Sequence, residues 1–81
     1  MEHADALERL KTILIDDFKV SASIDRTSHL RTDLGLDSLA LTDLAFLVKQ
    51  DFALGADVGP ESFRGLNTVG LLADFLARHA P

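Results

Sequence analysis

Apolar residues recur at helical spacing in three stretches of this chain, and no stretch alternates as a strand would. Leu7, Leu10, Leu14 and Phe18 stand at i, i+3, i+7 and i+11, one face of a helix, and Ile13 widens the stripe. This predicts a first helix from Ala4 to Phe18, with Glu2, Glu8, Arg9, Lys11 and Asp16 turned to solvent. Asp5–Arg9 and Glu8–Lys11 place acid before base at spacings that favour ion pairs on a helix surface. Leu41, Leu44, Val48 and Phe52 repeat the pattern, flanked by Ala45 and Leu47, and predict a second helix from Asp37 or Ser38 to Phe52. Asp37 is placed to cap it. No Glu or Gln completes a capping box, and Gly55 is the expected stop. Pro60 opens a short helical turn, Glu61 to Arg64, closed by Gly65. A last helix, capped by Asn67 or Thr68, runs from Val69 to Arg78. Val69, Leu72 and Leu76 face inward with Phe75 beside them, and Arg78 and His79 lie where the helix dipole favours cations.

Residues 19–36 interrupt this periodicity. Ser21, Ser23, Asp25, Arg26, Thr27, Ser28 and Thr32 form a polar stretch anchored by Val20, Ile24, Leu30 and Leu34, and Gly35 supplies backbone freedom before the second helix. A connection this long points to function or to local helical turns. The expected fold is therefore all-α: three main helices, one short helix and a long first loop, with residues 1–81 forming one domain. A chain of this size buries only about 60% of the surface it exposes when unfolded, which suits a compact bundle and not a deep enzyme cleft.

Composition narrows the chemistry. The 81 residues include no cysteine, which excludes disulfides, thiolate metal sites and cysteine catalysis. The start, Met1-Glu2-His3-Ala4-Asp5, has neither the basic residues nor the apolar run of a secretion signal. No segment approaches the roughly 20 apolar residues of a membrane span, so a cytoplasmic protein is expected. The net charge is −5. Residues 33–61 contain six acids and one base, so the negative charge is concentrated in the middle of the chain. Such a surface repels nucleic acid and suits basic protein partners, although acids also serve plain solubility.

The segment Asp33-Leu34-Gly35-Leu36-Asp37-Ser38-Leu39 joins the loop to the second helix. It places a serine hydroxyl in the first helical turn, where exposed amides and the helix dipole favour an anion. A phosphate ester on Ser38 would sit well there. Leu34-Gly35-Leu36-Asp37-Ser38-Leu39 resembles the phosphopantetheine attachment motif of the acyl carrier proteins. The resemblance extends through the amphipathic helix ending at Asp51-Phe52, the turn after Pro60 and the closing Asn67-Thr68-Val69-Gly70-Leu71-Leu72, and so covers nearly the whole chain.

The resemblance implies a four-helix acyl-carrier-like bundle that is itself no enzyme. In that family the serine forms a phosphodiester with 4′-phosphopantetheine, transferred from coenzyme A by a magnesium-dependent phosphopantetheinyl transferase. The arm's thiol holds acyl groups as thioesters, which would explain how a cysteine-free chain takes part in thiol chemistry. The implied partners are that transferase and the acyl-loading, condensing and modifying enzymes with basic docking surfaces, visited by a monomer. Asp37, Leu39 and Asp43 are the candidates for partner recognition. Asp37 also serves as a helix cap, Leu39 is expected to be half exposed, and Asp43 and Asp51 also fit as solvated surface.

One region departs from the housekeeping fatty-acid carriers, whose second helix is dense in glutamate. Here Ala40, Thr42, Asp43, Lys49, Gln50 and Asp51 are expected to be exposed. This points to a specialised polyketide or mixed polyketide–peptide pathway, with fatty-acid and aminoacyl or peptidyl cargo as alternatives. A hydrolase using Ser38 would need a base, an orienting acid and an oxyanion site, and the Gly-x-Ser-x-Gly elbow is absent. His3, His29 and His79 lack metal-ligand spacing. The remaining rival is an arm-free scaffold or regulatory module of the same fold.

Overall fold

The computed structural model describes residues 1–81, the side chain of Pro60 excepted. It contains α1 (His3–Asp16), α2 (Ser38–Asp51), a 3₁₀ turn (Pro60–Phe63) and α3 (Val69–His79). The described residues form no strand, and a single isolated antiparallel bridge pairs His29 with Thr68. The all-α expectation holds. No described helix is long and apolar enough to cross a membrane.

The core forms where the periodic stripes meet. Leu10, Leu14, Leu44, Val48, Phe52 and Leu76 are all buried in one apolar cluster. α1 packs most extensively against α3. Arg26 and His3 both reach Asp74 on α3, at 2.7 Å and 2.8 Å, tying the long loop and the start of α1 to that helix.

Two helix ends differ from expectation. α1 stops at Asp16 and not at Phe18. Lys19 adopts a left-handed φ of 57°, and the Val20 N–H reaches back to the Leu14 carbonyl at 3.1 Å. Burial of Val20 drives this reversal, and Phe18 packs on the core from the turn. α2 is closed by Ala53 and not by Gly55. Ala53 is left-handed at φ 52°, with its N–H donating to Gln50 O and that of Leu54 to Lys49 O. This is a Schellman closure, set early because Leu54 and Val58 must be buried.

The long loop is laced onto the start of α3. Leu30 N–H donates to Asn67 O, Val69 N–H to Ser28 O and Gly70 N–H to Arg26 O, each at 2.9–3.0 Å. Gly70 permits this approach, because a Cβ there would lie 2.8 Å from the Arg26 carbonyl oxygen. The Asp25 carboxylate accepts from the Thr27 amide and hydroxyl, bonds that lower its pKa. Of the two candidate caps for α3, Thr68 serves, its hydroxyl accepting from Leu71 N–H at 3.2 Å. Arg9 does not pair with Asp5. It crosses instead to Asp51 on α2, at 2.9 Å, while Lys11 and Glu8 approach to 3.7 Å as expected.

Candidate functional site

The chain reaches α2 through a turn that only a flexible residue makes without strain. Gly35 has φ +73°, and Leu36 is buried beyond it as an anchor. Asp37 then extends at the N-cap, and its Oδ1 accepts from the Ala40 amide at 2.8 Å. Ser38 is the first helical residue and is exposed. Its hydroxyl makes no hydrogen bond among the described residues, and neither do the amides of Ser38 and Leu39. An unengaged hydroxyl at the positive end of a helix, next to free N–H donors, fits a phosphate ester.

The remaining predicted residues lie along the same helix. Leu39 is more exposed than expected, at 71%. Asp43 is exposed one turn further on, and Ala40 and Lys49, expected to be exposed, are half-buried. Phe46 follows Leu39 by seven residues, on the same face, and is 70% exposed. Sequence reasoning passed over Phe46. The available signal was an aromatic residue lying off the buried stripe of α2. Asp51 is engaged by Arg9, whose guanidinium also covers the Phe52 ring at 5.3 Å.

Two grooves flank the head of α2. An apolar one of about 750 Å³ begins at Leu41, one turn from Ser38, and runs past Phe46, Leu54 and Val58 to Phe63. A more polar one of about 440 Å³ lies on the other side, between residues 18–22 and 32–37, with Ala40 at its rim. The histidines stay apart: His3 meets Asp74, His29 accepts from the Arg31 amide through Nδ1, and His79 stacks on Phe75.

Known proteins resemble this chain over most of its length. The family model described as the phosphopantetheine attachment site matches residues 8–76. Acyl carrier protein 2 of Ralstonia nicotianae is 34% identical over 71 residues, which span 86% of this chain and 85% of the relative. The acyl carrier protein of Saccharopolyspora erythraea is 32% identical over 85 residues, covering 99% of this chain and 87% of its own length. Fold and family match together define a carrier whose covalent cofactor is 4′-phosphopantetheine. The chain belongs to the acyl carrier protein family.

Proposed function

We propose that Ser38 is the residue that carries the arm. The observation behind this is the free, exposed hydroxyl at the first position of α2, capped from behind by Asp37. When bound, the cofactor supplies the thiol, which the cysteine-free chain lacks, and acyl groups are held on it as thioesters. The chain's own contribution is positional. The unpaired amides of Ser38 and Leu39 would hold the phosphate, and the apolar groove from Leu41 to Phe63 would shelter an acyl chain. The protein acts as a carrier for other enzymes in the cytoplasm, as one domain and as a monomer.

The partner surface in this reading is the outward face of α2, formed by Asp37, Leu39 and Asp43 with Phe46. Only two acids lie within α2, and Asp51 is occupied by Arg9. The face thus mixes the exposed apolar Leu39 and Phe46 with isolated acids and carries no run of carboxylates, which supports a specialised polyketide or mixed polyketide–peptide pathway over general fatty-acid synthesis. Aminoacyl cargo remains the alternative within the family.

The test is intact-protein mass spectrometry after incubation with coenzyme A, magnesium and a broad-specificity phosphopantetheinyl transferase, run beside Ser38→Ala. One phosphopantetheinyl mass added to the wild type alone is the expected result. Modification that persists in Ser38→Ala would move the site to another serine. No modification by several transferases would favour the arm-free scaffold. The loaded protein is then offered to fatty-acid ketosynthase and elongation enzymes, where efficient turnover would sink the specialised-pathway reading.

A further inference from the structure

The groove on the polar side of Ser38 has features that the attachment role leaves unexplained. It is walled by the turn after α1, residues 18–22, and by the turn before α2, residues 32–37. Lys19 is its only cationic lining residue. Its two acids each accept one backbone amide and keep their negative charge: Asp33 Oδ2 accepts from His29 at 2.6 Å, and Asp37 Oδ1 from Ala40. Lys19 has no ion-pair partner among the described residues. Ser21 and Ala22 line the same wall, and their backbone N–H and C=O groups have no intramolecular partner among the described residues. The groove therefore offers one ammonium without an ion pair and, at the bend of Ser21 and Ala22, free peptide groups, next to the residue that precedes Ser38.

We propose that this groove receives the unacylated phosphopantetheine arm, with Lys19 facing the phosphodiester and the Ser21–Ala22 backbone pairing with the arm's amides. The inference rests on Ser38 as the attachment point. Its chemistry follows from the structure of the arm, a phosphate followed by two amides and a terminal thiol. A phosphodiester carries one negative charge and attracts an unpaired ammonium at close range. An amide takes one donor and one acceptor, and the free N–H and C=O groups of Ser21 and Ala22 can supply them. The groove that starts at Leu41 has mainly apolar walls, with Thr42, Lys49, Gln50 and Arg64 as its polar lining, so a bare arm lying along it would set much of its polar length against apolar surface. Cargo reverses the preference, because an acyl chain gains from those same walls. The two grooves thus sort the arm by its load: polar side when empty, apolar side when acylated.

The experiment is nuclear magnetic resonance on uniformly labelled holo protein, with mass spectrometry first confirming one arm on Ser38. Apo and holo amide spectra are compared, and nuclear Overhauser contacts are collected from the arm's amide and gem-dimethyl protons. The expected result is contacts to Lys19, Ser21 and Ala22, with shifts of those amides between apo and holo forms. Lys19→Glu, which loads normally by mass, should lose both. Lys19→Gly, which accepts the left-handed backbone and removes the whole side chain without introducing an opposite charge, should weaken them. Contacts confined to Leu41 and Phe63, or an arm that contacts neither groove, would overturn the proposal while leaving the attachment reading intact. Failure to add the mass at Ser38 would overturn both.

Discussion

The guanidinium of Arg9 lies over the Phe52 ring, 5.3 Å from its centroid, while its Nε holds the Asp51 carboxylate at 2.9 Å. One side chain of α1 thus grips the last residue of α2 and the residue that caps it. Both charged groups are substantially exposed, so the ion pair alone should contribute no more than about 0.2–1 kcal/mol. The stacking adds about 0.5–1 kcal/mol. Arg9→Ala is therefore expected to lower unfolding free energy by about 1 kcal/mol in urea titration. In a double-mutant cycle with Asp51→Ala, the coupling should shrink as salt rises. A loss unaffected by salt would assign the effect to packing alone.

Asp37 caps α2 through the Ala40 amide. Asp37→Ala should cost about 0.5–2 kcal/mol, and Asp37→Asn much less, since the amide oxygen accepts the same bond. Thermal melts of the three proteins check this. If Asn and Ala lost equally, the carboxylate charge and not the cap would be what matters.

Asp74 receives Arg26 and His3, and these hydrogen bonds hold its carboxyl down from 3.8 to about 2. A depressed carboxylate stabilises the fold above its unfolded value, and the contribution disappears as pH falls from near 4 towards 2. Acid titration followed by circular dichroism should show stability falling in that window. Asp74→Asn should be less stable at neutral pH and should flatten this part of the curve. An unchanged acid limb in the variant would mean that other carboxylates set it.

Leu44 and Phe46 are two residues apart on α2 and should behave oppositely. Leu44 is 2% exposed, so Leu44→Ala should destabilise by about 2–5 kcal/mol. Phe46 is 70% exposed, and Phe46→Ala should change stability by no more than about 0.5 kcal/mol. Chemical denaturation of both variants decides it. A large loss at Phe46 would show that the ring packs against its own protein.

The sequence carried the helices well because each is a local pattern. The stripe Leu41, Leu44, Val48 and Phe52 needs only helical spacing to be recognised, and Asp37 and Thr68 need only a position ahead of such a stripe. What it did not show depends on residues brought together by folding. Arg9 had a partner four residues away in the chain, and folding gave it another 42 residues distant. Gly55 looked like the end of α2, yet burial of Leu54 and Val58 placed the left-handed residue at Ala53. For the proposed site, the motif alone singled out Ser38. The unpaired Lys19, the exposed Phe46 and the two grooves were not, because a groove belongs to no single segment.

The lacing of residues 26–30 onto Asn67–Gly70 has a consequence for how the molecule breathes. Amides bound across that seam, such as Leu30 and Gly70, can exchange with solvent only when the loop parts from the head of α3. They should share one opening free energy with α3 itself, as a single cooperative unit. Ser21 and Ala22, outside the seam, should exchange almost freely. The long connection would then divide, in a deuterium-exchange time course, into a slow half that belongs to α3 and a fast half that belongs to the groove beside Ser38.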